Sequence, residues 1–235
     1  MPDAVICGYA RTPFGRFRGA LSSYSAVELG IRAVEELLRR TGIDPSGGEI
    51  DQVYMGQVLQ AGAGQAPARQ VALGCGMPNS TSCTTINKVC GSSLKAVMIA
   101  ASEIRAGVSE LVVAGGMESM SNAPRFIREA RRGEDVPFKS LLSILSHDGL
   151  TDAFSGELMG NTGETCALEY GISREESDAY SLRSHRLSAK GWENGGIENE
   201  CVSMEELSID EGIRQDADMS TLTSLKPVFS EGGQV

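Results

Sequence analysis

The sequence predicts an α/β fold with an inserted, partly helical cap, and three observations carry that expectation. Short apolar runs of strand length alternate with helical stretches through residue 118, the pattern of a sheet covered by helices. From residue 119 the texture changes to turn formers, followed by two longer helical runs. With 235 residues, 41% of them hydrophobic and 22% charged, the chain is long enough to bury a real core.

Taken in order, Ala4 to Ala10 is an apolar run ending in a Gly- and Arg-rich loop and reads as a buried strand. Ser25 and Glu28 form a capping box for a helix whose apolar positions are Val27, Ile31, Val34 and Leu38, and Gly42 and Pro45 stop it. Val53 to Val58 reads as a second strand. The loop 61–67 follows, and Pro67 opens a helix carrying Arg69, Gln70, Val71 and Leu73. Thr81 to Ile86 is a third strand, Leu94 to Arg105 a helix, and Leu111 to Ala114 a fourth strand running into Gly115-Gly116. The stretch 119–160 has few regular signals. Helices are expected over 159–171 and 173–194, the second capped by Ser173 and Glu176. This gives an α/β domain over 1–118 and a cap over 119–230.

Charge and cysteine usage narrow the function. A net charge of −10, from 21 basic and 31 acidic residues, disfavours nucleic-acid binding, which needs clustered cations. Arg39-Arg40 and the stretch from Arg125 to Arg132 are the only basic runs. They read as solvated surface, with Arg128, Arg131 and Arg132 open to an anionic ligand such as a nucleotide phosphate. No apolar run approaches the ~20 residues of a membrane span, so a cytoplasmic address is expected and no membrane association. Six scattered cysteines and two histidines, His147 and His185, suggest neither a disulfide framework nor a metal site.

One cysteine stands apart. Cys90 lies in Asn87-Lys88-Val89-Cys90-Gly91-Ser92-Ser93-Leu94, between a strand and a helix start. Backbone N–H groups and the positive end of a helix dipole favour the thiolate there. The small residues that follow leave room for a substrate carbonyl, whose oxyanion can meet backbone donors. Local sequence alone leaves the alternative open that Cys90 is a small packing residue.

The wider pattern resembles the thiolase family, closest to acetyl-CoA acetyltransferases. The motifs are Asn87-x-x-Cys90-Gly91-Ser92, Gly115-Gly116-Met117-Glu118-Ser119-Met120-Ser121, Gly64-Gln65-x-Pro67-Ala68-Arg69-Gln70 and Asp148-Gly149-Leu150-Thr151-Asp152-Ala153-Phe154. The resemblance runs from Ala10-Arg11-Thr12-Pro13 to Lys226-Pro227-Val228-Phe229. It implies a thiolase-like fold: one βαβαβ-type half with a mixed sheet and an inserted cap. It also implies that Cys90 accepts an acyl group from a short 3-oxoacyl-CoA and passes it to coenzyme A, its own N–H forming part of an oxyanion hole. Leu150, Arg214 and Thr221 match cap positions that touch coenzyme A, and Met159 a position that narrows the acyl pocket; core packing is the other reading of Met159. Coenzyme A and acetyl-CoA are then substrates, and no further cofactor or metal is expected. Leu158 departs from the histidine frequent in biosynthetic members, so that contact is not carried over.

The sequence contains no Asn-Glu-Ala-Phe, Gly-His-Pro or Cys-x-Gly motif, which in this family supply the base, the second thiol and the water-holding asparagine. His185, in a polar helical run, reads as a surface residue, and His147 as a cap-loop residue. Residues 231–235 fall where the family begins the last strand of its first domain. The expectation is therefore an N-terminal subunit that works with a C-terminal-half thiolase subunit, the complex associating further into dimers or tetramers. The alternatives are that residues 231–235 are the cut start of that strand in a longer chain, that the protein is a non-catalytic coenzyme A-binding or scaffolding half-thiolase, or that it is a related condensing enzyme of the ketoacyl or hydroxymethylglutaryl synthase type.

Overall fold

The structure, a computed structural model, describes residues 3–128, 135 and 137–235. Its contacts divide the chain into two compact units, Met1–Gly149 with Glu200–Ser208, and Leu150–Asn199 with Ile209–Val235. The sequence division at 118/119 marks where regular elements give way to short ones. By contacts, the residues just after it remain with the sheet. Ser119 Oγ and Asn122 Nδ2 donate to the Tyr24 carbonyl, and Arg11 pairs in parallel with Cys201 as an isolated bridge.

The first unit is built on three parallel strands, β1 (Gln52–Gly56), β2 (Ser82–Ile86) and β3 (Val112–Gly116), in the order β2-β1-β3. The helices α1 (Ala26–Thr41), α2 (Pro67–Gly74) and α3 (Ser92–Ala106) alternate with them. Side chains alternate across β1, so its two faces make two cores. Val53 and Met55 pack with Val34 and Leu38 of α1 and Val71 of α2, whereas Tyr54 packs with Ala96 and Ala100 of α3. The α1 capping box is present as expected: Ser25 Oγ accepts the Glu28 N–H, and the Glu28 carboxylate accepts the Ser25 N–H. A short antiparallel pair, β4 (Arg125–Phe126) with β5 (Leu142–Ser143), forms a separate ribbon. Parallel and antiparallel pairing therefore both occur, in different sheets.

Two expectations need correction. Ala4 to Ala10 is extended but belongs to no ladder, and Val5 and Ile6 are 72% and 80% exposed. An apolar run becomes a buried strand only where a neighbouring backbone takes its N–H and C=O groups, and no strand lies beside this one among the described residues. Burial of the sheet is likewise concentrated in β1, because β2 and β3 are edges.

The second unit holds α4 (Met159–Tyr170), α5 (Arg174–Glu193) and α6 (Met219–Ser224). The Ser173 capping box on α5 matches the sequence reading. Helix α6 was not visible in the sequence; it is six residues long and starts from the Asp218 side chain, which accepts the Thr221 N–H at 2.7 Å. Residues 231–235 form a turn and loop, with the Gln234 and Val235 N–H groups donating to Glu164. Among the described residues no helix is long and apolar enough to cross a membrane.

Candidate active site

Strand β2 ends at Ile86 and α3 begins at Ser92, so the chain must turn sharply within five residues. Val89 makes the turn in the left-handed region, at φ 47°. That conformation is costly for a β-branched side chain and persists only where the surroundings enforce it. Here they do so from both sides. Ser92 Oγ accepts the Lys88 N–H at 2.8 Å and donates to the Val89 carbonyl at 2.6 Å, while Asn87 Oδ1 accepts the Val89 N–H at 2.9 Å. Cys90 follows immediately, exposed, one residue before the Gly91 N-cap of the 15-residue α3.

Glycines let α3 come this close to the sheet. A Cβ on Gly56 would lie 2.7 Å from Ser92 and Ser93 backbone atoms, and one on Gly116 2.7 Å from the Ser93 Cβ. Of the Gly115-Gly116 pair, only Gly116 meets so close an approach, and neither has a positive φ. The Gly64 to Gln70 motif is also structural. Gln70 Nε2 donates to the carbonyls of Ala63 and Gln65, and Arg69 reaches the carbonyls of Thr81 and Asn79 to tie α2 to the start of β2.

Two other cysteines of this unit, Cys75 and Cys83, differ in setting. Burial pushes the Cys75 thiol up to about 12 and raises that of Cys83, against the smaller opposing effect of Arg69. Neither is a nucleophile at neutral pH. Beside the start of α3 opens a cleft of about 500 Å³ whose walls include Arg11, Phe14, Gly30, Ser93, Met117 and Glu118.

The four other site residues lie in the second unit. Leu150 and Met159 are 39% and 43% exposed, Met159 as the first residue of α4, and Arg214 and Thr221 are exposed. The second unit thus gathers all four, while Cys90 belongs to the first. Leu158 is the α4 N-cap, with no side-chain cap bond. His185 needs correction as a plain surface residue: it is partly buried, and its Nδ1 accepts the Arg214 N–H at 3.2 Å. His147 stacks edge-on against Phe126, with both ring nitrogens engaged, Nδ1 with Asp148 and Nε2 with Arg128, each at 2.5 Å. Arg128 is therefore held by the histidine. Arg131 and Arg132 lie outside the described residues. No group of three His, Cys, Asp or Glu side chains among the described residues could hold a metal ion. Sequence reasoning gave Glu118 no role, although its carboxylate binds the loop after β1 through the N–H groups of Val58 and Leu59. An acid two residues past a strand end was the available signal.

The first unit is thus of the class of α/β proteins in which a strained strand-to-helix turn leaves a cysteine exposed at a helix start. Comparison with known proteins specifies it further. The family described as thiolase, N-terminal domain, matches residues 4–235, and the chain belongs to the thiolase family. It is 44% identical to acetyl-CoA acetyltransferase 2 of Arabidopsis thaliana, over 98% of this chain and 59% of that protein. It is 45% identical to a probable acetyl-CoA acetyltransferase of Escherichia coli K12, over 100% of this chain and 61% of that one. The Acat5 thiolase of Ascaris suum, crystallised in complex with coenzyme A, superposes with a TM-score of 0.90 at 36% identity, covering 99% of this chain and 60% of that chain. The chain thus spans about three-fifths of the length of these relatives.

Proposed function

We propose that this chain is the acyl-accepting half of an acetyl-CoA acetyltransferase, with Cys90 as its nucleophile. The observation that carries the reading is the placement of Cys90: exposed, after a left-handed Val89 and directly before the N-cap of α3. The Cys90 thiolate attacks the 3-oxo carbon of a short 3-oxoacyl-CoA, and the C2–C3 bond breaks. The departing acetyl-CoA carbanion takes a proton, and the acyl group stays on sulfur. The thiol of coenzyme A then gives up its proton and its sulfur takes the acyl group, releasing Cys90; condensation is the same path reversed. Leu150, Met159, Arg214 and Thr221 hold the coenzyme A thioester. The base, the second thiol and the asparagine-held water come from a C-terminal-half thiolase subunit, and the complex self-associates.

The test is reconstitution. Acetyl-CoA is expected to acetylate Cys90, read by peptide mass spectrometry, and thiolysis of acetoacetyl-CoA is expected only when a C-terminal half is co-expressed. Cys90→Ala removes both. Turnover by this chain alone overturns the dependence on a partner, and turnover by Cys90→Ala overturns the nucleophile. Coenzyme A binding without acetylation in any combination leaves a binding half-thiolase in place of an enzyme.

A further inference from the structure

Glu118 takes no part in the chemistry just described, yet its hydrogen bonds lead to Cys90. Its Oε2 accepts the N–H groups of Val58 at 2.9 Å and Leu59 at 3.1 Å, and its Oε1 that of Ser119 at 3.3 Å. A carboxylate taking backbone N–H donors makes strong, charge-assisted bonds, so the loop that leaves β1 is held to the end of β3. The carbonyl of that same Val58 accepts from Asn87 Nδ2 at 3.4 Å. Asn87 is thereby turned so that its Oδ1 faces the Val89 N–H, which it accepts at 2.9 Å. Val89 is the residue in left-handed strain, and Cys90 is next to it.

Each link needs the one before. An amide side chain has one oxygen and one NH2, so an acceptor for the NH2 decides which way the oxygen points. Val58 provides that acceptor only while its loop is fixed. Ser92 restrains the turn from the helix side, and Asn87 is the restraint from the sheet side. Without it, Val89 relaxes toward the extended region that its side chain prefers, and the Cys90 sulfur leaves the helix start.

We propose that Glu118 is a positioning residue for Cys90, acting through Val58, Asn87 and Val89 to hold the strained turn that presents the thiol. The proposal rests on reading Cys90 as the nucleophile, but it is tested without turnover. The probe is iodoacetamide alkylation of the whole chain at neutral pH, quantified by peptide mass spectrometry. Cys7 and Cys166, both exposed, serve as internal standards on the same molecule.

In Glu118→Gln, an isosteric change that puts an NH2 among N–H donors, alkylation of Cys90 is expected to slow about tenfold, while Cys7 and Cys166 are unchanged. Asn87→Ala is expected to slow it similarly, and the double variant to be no slower than the worse single one, because both act along one path. An unchanged Cys90 rate in Glu118→Gln overturns the proposal, as do effects that multiply in the double variant. If Glu118→Gln loses its cooperative thermal transition, Asn87→Ala together with Glu118→Asp takes over the comparison, with the same overturning outcomes. The two readings fail separately. Normal alkylation dependence with no acetylation from acetyl-CoA removes the thiolase chemistry and keeps the relay, and the converse removes the relay alone.

Discussion

His185 accepts the backbone N–H of Arg214 on its Nδ1, at 3.2 Å, so a helix side chain fixes the main chain of a residue expected to meet coenzyme A. The bond belongs to a series. Arg174, His185 and Trp192 stand at i, i+11 and i+18 on α5, within about 20° of one another around the helix. Arg174 Nη2 donates to the carbonyls of Leu222 and Leu225, and Trp192 Nε1 donates to Asp210 Oδ2 at 3.2 Å. One stripe of α5 thus holds the segment 210–225 along its length, in antiparallel order. His185→Phe keeps the ring's bulk and removes the acceptor. Amide exchange at Arg214 is expected to rise about fivefold, the effect of a ~1 kcal/mol hydrogen bond, with little change at Leu222 and Leu225.

Arg174 has the larger effect on stability. It pairs with Asp178 at 2.9 Å and also satisfies carbonyls at the C-terminal end of α6, where a cation complements the helix dipole. Asp178 is 6% exposed, and its Oδ2 has no hydrogen-bond partner among the described residues. Arg174→Ala leaves that carboxylate buried and uncompensated, and is expected to destabilise the second unit by about 3 kcal/mol. Urea denaturation followed by the fluorescence of Trp192, the chain's one tryptophan, measures this. The double variant with Asp178→Asn should recover part of the loss, since the buried charge is gone.

The sequence announced these helices but not their arrangement. The Ser25 and Ser173 caps, the alternation through β3 and the Cys90 turn are all local, so they were legible residue by residue. Helix α6 was not, because six residues give too little periodicity and its anchors are Asp218 and the distant Arg174. The role of His185 was hidden for a related reason: a histidine in a polar helix looks solvated until the segment beside it is known. Ala4 to Ala10 failed the other way, since apolar composition reports a wish for burial and not the presence of a neighbour. At the site, the position of Cys90 was readable. The strain at Val89 was not, because a valine gives no sequence signal for a positive φ.

Gly56→Ala tests the close packing under Cys90. The added methyl meets backbone atoms of Ser92 and Ser93 at 2.7 Å, which cannot rotate away as a flexible side chain would. Displacing the first turn of α3 is expected to cost about 2 kcal/mol in urea denaturation. Acetylation of Cys90 should fall further than stability alone explains. Gly107→Ala is a useful control: it places its methyl in open space, and its cost comes only from the left-handed φ of 71°. It should destabilise the chain while leaving acetylation of the folded fraction intact.

The thiols should separate by burial. Cys90, Cys7 and Cys166 are exposed, whereas Cys75 is 8% exposed and its thiol is pushed up to about 12 by burial. In the folded chain at pH 8, a thiol reagent is expected to modify the three exposed cysteines within minutes and to spare Cys75 until urea unfolds the first unit. Early labelling of Cys75 would place the α1–α2 core in exchange with an open state. Cys90→Ala should leave the melting temperature nearly unchanged, because an exposed thiol contributes little packing.

Acid stability should depend on Glu36. Its carboxylate accepts two hydrogen bonds from Arg39 and one from Arg40, each at 2.7 Å, in the last turns of α1, and these bonds, those of Arg39 first, hold its pKa down at about 2. A carboxyl whose pKa is lower in the folded chain than in the unfolded one stabilises the fold above the unfolded value near 4.5, and that contribution is lost as pH falls toward 2. Arg40 also reaches the carbonyls of Tyr9 and Cys201, so the same pair helps to hold the extended N-terminal segment. Thermal melts of the parent chain and Glu36→Gln between pH 7 and pH 2.5 should therefore converge: the variant melts lower at pH 7, and the gap narrows below pH 4.5. Because the Arg39 partner is exposed, the gap at pH 7 should also shrink in high salt, as expected of a screened ion pair. A gap that stays constant across the pH range would assign the effect of the substitution to packing in place of charge.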